Sequence, residues 1–166
     1  MKKYQTDTFW QDLKSGKFAA MVKESSKGQA VSNPAEVCNV LKPLILEHDD
    51  VEVLYGVFLD AKNHIIAIEK LFSGTITGTQ VYPREILKRA ITLKSASIIL
   101  AHNHPSGDTT PSSEDKATTT RIALILIAMS LSLHDHIIIG KGYHSMADSG
   151  WLSKEISRLK SLLTHC

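Results

Sequence analysis

The run His102-Asn103-His104-Pro105-Ser106-Gly107-Asp108 continues through Thr109-Thr110-Pro111 to Ser112-Ser113-Glu114-Asp115, placing two imidazoles and a carboxylate in one short stretch. Nitrogen and oxygen donors of this kind suit zinc, which in catalytic sites takes three protein ligands at about 2.0 to 2.2 Å and leaves a fourth position to water. The residue types and their order therefore predict a hydrolytic metal centre with His102, His104 and Asp115 as ligands.

Those ligands need elements to bring them together. Ser97-Ile98-Ile99-Leu100-Ala101 is short, apolar and β-branched, which predicts a buried strand running straight into His102. Successive side chains of a strand alternate faces, so His102 and His104 point to one side and Asn103 to the other. Pro105, Gly107 and Pro111 turn the chain into a loop, and Ser112 opens a long helix with Asp115 in its first turn. Each half of the pattern is ordinary alone. Eight histidines in 166 residues make a His-x-His pair unremarkable, and Ser112-x-x-Asp115 is also a helix N-cap with an acid near the positive end of the dipole. The two halves in register, at the end of an apolar strand, are what point to a metal. One carboxylate has two oxygens, enough for Asp115 to cap and ligate together.

His-x-His, seven residues, Ser, two residues, Asp resembles the JAMM (JAB1/MPN/Mov34) metalloprotease motif. The longer string, with Tyr82-Pro83-Arg84-Glu85 upstream and His134-Asp135-His136-Ile137-Ile138-Ile139-Gly140 downstream, is similar to the RadC-type JAB domain over about Glu52 to Trp151. The motif usually has Ser or Thr between the histidines; Asn103 is the RadC-type choice. The resemblance implies an α/β fold of the JAB/MPN, cytidine-deaminase-like kind, a mixed β-sheet flanked by helices. It also implies zinc-dependent cleavage of a peptide or isopeptide bond in a protein or peptide substrate. RadC proteins often carry an N-terminal helix-hairpin-helix region for DNA, and the roughly thirty residues ahead of the domain are too few for a complete one.

The JAMM pattern takes its general base from a glutamate in an earlier strand, and the resemblance puts Glu52 there. The local sequence agrees, since Val51 to Asp60 reads as a buried strand with Glu52 near its start. Glu69 is the rival, but it lies beside Lys70 on the second arm of a hairpin turning through Asp60-Ala61-Lys62-Asn63 and reads as a solvated strand residue. In the implied mechanism Glu52 moves the proton of the metal-activated water, and Ser112 either donates to the developing oxyanion or only caps its helix.

Other polar residues carry weaker signals. Asp135 and His136, expected at the start of the strand Ile137-Ile138-Ile139, either orient a ligand imidazole or form a structural hydrogen-bonded pair. His48, His64, His134 and His165 read as solvated turn or terminal residues, and Asp108 as a solvated loop aspartate. His144 falls in a hairpin-like arm.

Composition sets the outer bounds. A chain that is 43% hydrophobic is long enough for one domain that buries about two thirds of its unfolded surface. We expect residues 1–31 to be an N-terminal appendage, anchored by Trp10 and Phe18 and ending in the linker Glu24 to Gln29, with residues 32–166 forming the domain. Asn33-Pro34-Ala35-Glu36 predicts a helix start, with Pro43 as its kink or stop. Thr75 and Gly78 mark a loop, Pro83 starts a helix with Ile86, Leu87, Ala90 and Ile91 inward, and a helix is expected from Ser113 to Ser132. Cys38 and Cys166 cannot frame a disulfide scaffold, the first residues lack a signal peptide's apolar core, and no apolar run spans a bilayer. A cytoplasmic, non-membrane protein is the expectation. A net charge of +2 gives DNA little support. The sequence thus favours a zinc metallohydrolase over its alternative, a metal-stabilised binding or DNA-repair-associated module, because three ligands and a base leave an open position.

Overall fold

The computed structural model describes residues 11–12, 15–48, 50–74 and 81–164; Trp10, Thr75, Gly78, His165 and Cys166 lie outside them. Its centre is a mixed five-stranded sheet with helices packed on both sides, the expected α/β JAB/MPN arrangement. Helix α1 spans Lys17–Ser26 and α2 spans Pro34–Ile45. Asn33 Oδ1 accepts the Glu36 N–H at 3.0 Å, and the Glu36 carboxylate accepts the Ser32 N–H at 2.7 Å, so the start of α2 satisfies its own donors. Val37, Cys38, Leu41, Leu44 and Ile45 form its buried stripe.

Strands β1 (Val53–Leu59) and β2 (Ile65–Ser73) make the expected hairpin, closed by Asp60 Oδ1, which accepts the N–H groups of Lys62 and His64 at 2.8 Å each. Helix α3 (Pro83–Thr92), strand β3 (Ser97–Asn103), helix α4 (Ser113–Ala128), strand β4 (Ser132–Ile139), strand β5 (Tyr143–Ser145) and helix α5 (Trp151–Leu163) follow. The strand order is β2-β1-β3-β4-β5; β3 pairs antiparallel with β1 and parallel with β4, and α4 is the crossover between β3 and β4. Alternation splits the core in two. Val53, Tyr55, Val57, Ile99, Ala101 and Ile137 pack under α2, while Leu54, Phe58, Ile98, Leu100 and Ile138 pack under α3, α4 and α5.

Several expectations need correction. The run Glu24 to Gln29 is no free tether: helix α1 continues through Ser26, and Gly28 and Gln29 exchange backbone hydrogen bonds with Ile65 at 2.8 and 2.9 Å. Backbone pairing holds this segment without any apolar side chain. Pro43 lies inside α2, two residues before its end, so it neither stops the helix nor gives Asn39 the hydrogen bond that an N–H there would make. Ile91 is 54% exposed although Ile86 and Ala90 are buried. The helix α4 stops at Ala128 because Ser130, at φ 58°, reverses the chain, and Leu133 belongs to β4. Asp135 and His136 therefore sit inside a strand rather than at its start, and His134 is in that strand rather than in a turn.

Candidate metal centre

His102 is on β3, His104 follows its end, and Asp115 is in the first turn of α4. The structure brings the three together, with one ligand atom from each lying within 4.8 Å of the others. The two Nε2 atoms are 2.9 Å apart, His102 Nε2 is 3.2 Å from Asp115 Oδ1, and His104 Nε2 is 3.5 Å from Asp115 Oδ2. His102 and Asp115 are almost fully buried, and the His104 side chain keeps 13% exposure.

Asp115 does cap its helix. Its Oδ2 accepts the Ser112 N–H at 2.8 Å while Ser112 Oγ accepts the Asp115 N–H at 3.0 Å. Its other oxygen, Oδ1, is buried with no hydrogen-bond partner; the approach of His102 is close but is not directed as a hydrogen bond. A buried carboxylate oxygen left without a donor costs free energy, and a cation there would remove that cost. With two imidazole nitrogens beside it, the donor set fits zinc. Burial pushes the Asp115 carboxyl up, but His102 and the two Ser112 hydrogen bonds outweigh it and hold the group well below the usual carboxylate range. It is therefore ionised and ready to ligate.

The surroundings contain groups that sequence reasoning missed or left open. His136 Nε2 lies 2.8 Å from His102 Nδ1, and its own Nδ1 lies 2.6 Å from Thr119 Oγ1. Burial keeps His136 far below the ordinary histidine range, so the ring is neutral. Asp135 faces the opposite side, where its carboxylate accepts from the Ser145 hydroxyl and the Ala147 N–H at 2.5 and 2.9 Å. The cause is a register shift: β3 pairs Ile98 with Leu133 but Ile99 with Asp135, so His134 is an extra residue that turns His136 toward the site. Thr119 lies four residues after Asp115 on α4, the spacing that shares a helix face, and that signal was available. The Asp108 carbonyl oxygen lies 2.7 Å from His104 Nδ1, giving this residue a structural use through its backbone.

The loop after His104 is pressed against the sheet. The His104 N–H donates to the Ile139 carbonyl at 2.8 Å and the Lys141 N–H to the Gly107 carbonyl at 3.0 Å; a Cβ on Gly140 would lie 2.5 Å from that same oxygen. Glu52 immediately precedes β1. Leu54, two residues after Glu52, pairs with His102 at the end of the β1–β3 ladder. Glu69 instead pairs with Arg89 at 2.5 Å on the α3 side of the hairpin. A separate cleft of about 290 Å³, lined in part by Val37, Leu59, Ile137 and Asp148, opens on the α2 face and includes none of the three ligands.

With this geometry in place, comparison with known proteins is decisive: the sequence matches the RadC-like JAB domain over residues 31–151. The chain belongs to the RadC-like JAB domain family. It is 46% identical over 133 residues to a UPF0758 protein of Thiobacillus denitrificans, covering 80% of this chain and 59% of that relative. It is similar to a UPF0758 protein of Chromobacterium violaceum, at 40% identity over 134 residues, with the same two shares. It is also 47% identical over 108 residues to the UPF0758 protein YkfG of Escherichia coli, covering 64% of this chain and 66% of that one. The chain thus spans about 59% of the first two relatives. The family match takes in all five strands, the three ligands, His136 and Thr119. Among the described residues, no helix is long and apolar enough to cross a membrane.

Proposed function

We propose that this RadC-like JAB domain is a zinc-dependent hydrolase of JAMM type acting on a peptide or isopeptide bond. One observation carries the reading: His102, His104 and Asp115 converge on one point with a buried carboxylate oxygen left without a donor. Zinc held there would supply a water with a pKa near 7 and polarise the substrate carbonyl.

The chain's own residues do the rest. Glu52 takes the proton of the attacking water and passes it to the leaving amine; its position just before β1, whose Leu54 pairs with His102, supports this role. Ser112 donates its hydroxyl proton to the carbonyl oxygen as charge develops there. Its Oγ is already an acceptor for the Asp115 N–H, so capping and donation use different parts of one hydroxyl. Three protein ligands leave a position open, as catalytic rather than structural zinc requires.

The test is hydrolysis of a panel of peptide and isopeptide substrates by the zinc-loaded chain. Glu52→Gln should lower kcat by about 10² to 10⁴-fold while zinc stays bound, and His102→Ala should lose both. Full turnover by either variant sinks the mechanism. A wild-type chain that holds zinc with four protein ligands and cleaves nothing returns the domain to a metal-stabilised binding role.

A further inference from the structure

Each ligand histidine has two ring nitrogens, and a cation binds only one that carries no proton. We propose that Thr119 and His136 are positioning residues that fix His102 with its proton on Nδ1, so that Nε2 faces the metal as a lone pair. This rests on the metal reading above.

The hydroxyl of Thr119 has one proton and three neighbours: the Asp115 carbonyl oxygen at 2.6 Å, His136 Nδ1 at 2.6 Å and Met146 Sδ at 3.7 Å. Given to His136, that proton would leave Thr119 Oγ1 and the Asp115 carbonyl as two acceptors in contact with nothing between them. Given to the carbonyl, it frees Oγ1 to accept the His136 Nδ1–H, and every contact is satisfied. His136 Nε2 is then bare, 2.8 Å from His102 Nδ1, and only an N–H on that atom completes a hydrogen bond. Thr119 and His136 are 0% and 2% exposed, so the partners come from the protein.

His104 reaches the same state by a shorter route, because its Nδ1 faces the Asp108 carbonyl, which only accepts. With Nδ1 carrying a proton on both rings, the two Nε2 atoms, 2.9 Å apart, are the ones left to face a cation. Asp115 thus acts twice, through its carboxylate as a ligand and through its carbonyl as the fixed end of the chain that orients His102. Groups that orient ligand histidines commonly contribute 10 to 100-fold to metal affinity.

Zinc affinity, by competition with a chelator, and ring ¹⁵N NMR of His136 in the metal-free chain test the proposal. Wild type and Thr119→Ser should bind one zinc with similar affinity and carry the His136 proton on Nδ1. Thr119→Val, which keeps the shape but not the hydroxyl, should bind zinc about 10 to 100-fold more weakly and move that proton to Nε2. A His136 proton on Nε2 in the wild-type chain overturns the proposal, and this reading needs no variant to fold. Zinc binding unaffected by Thr119→Val overturns the proposal alone. A wild-type chain that binds no zinc overturns the metal reading and this inference together.

Discussion

Asn103 holds both flanks of Glu52. Its Oδ1 accepts the Val53 N–H at 2.7 Å, and its Nδ2 donates to the carbonyls of His48 and Val51 at 3.0 and 2.9 Å. The residue between the two ligand histidines points away from them, as strand alternation dictates, and fastens the segment that carries the proposed base. An asparagine does this because it offers an acceptor and two donors on one short side chain, where serine or threonine offers a single hydroxyl.

Asn103→Ala should therefore cost about 1 to 3 kcal/mol of stability, since it leaves the Val53 N–H and two carbonyls without their partner. Urea denaturation measures this. Zinc affinity should stay within a few-fold of wild type, whereas turnover should fall with the displacement of Glu52. Unchanged stability would show that the three hydrogen bonds are not needed.

Gly140 predicts a second effect at a distance from the ligands. An alanine there would drive its Cβ to 2.5 Å from the Gly107 carbonyl, so the loop between His104 and Ser112 must shift. Overpacking of this kind costs about 1 to 3 kcal/mol, and the loop carries the Asp108 carbonyl that faces His104. Weaker zinc binding by Gly140→Ala, with the far-ultraviolet circular dichroism spectrum unchanged, is the expected result in a chelator competition.

The alkaline limb of stability should depend on Tyr55. Burial, with Glu47 adding to it, pushes the Tyr55 hydroxyl up to about 12. A folded value above the unfolded value near 10 means that the contribution is complete below about pH 10 and is lost as pH rises toward 12. Tyr55→Phe should lose less stability than wild type over that interval. At pH 7 the two should differ little, because the Tyr55 hydroxyl reaches the Leu44 carbonyl only at 3.4 Å. Parallel pH curves for the two proteins would assign the alkaline loss elsewhere.

Removal of metal should leave the domain folded. The apolar side chains of both core halves pack on the sheet without an ion, and the Ser112–Asp115 capping box holds the start of α4. The chelated protein should keep its circular dichroism spectrum and melt cooperatively. Zinc at about a thousand times its Kd adds about 4 kcal/mol, a rise in Tm of roughly 10 °C for a chain of this size. Unfolding on chelation would instead make the ion a structural one.

The parts of the site that follow local rules were legible in the sequence. A period of two put His102 and His104 on one side, and Ser112 with Asp115 announced a helix start, and both hold. The role of His136 was not legible, because strict alternation from the buried Leu133 would turn it away; the extra residue at His134 reverses the face. Asp135 looked equally eligible and faces the other core. The fold's outline was readable from the apolar strands and the proline and glycine breaks. Its exceptions, the packed segment after α1 and the early end of α4, rest on backbone hydrogen bonds and one left-handed residue that no hydrophobic pattern encodes.

Of the three ligands, only His104 keeps a flank open to solvent. An ion bound by these residues and the substrate of the proposed reaction would then share one doorway. If the proposed hydrolysis is right, a substrate seated there would bar the ion's exit, and the metal would be held most firmly during turnover and be most open to scavengers between turnovers.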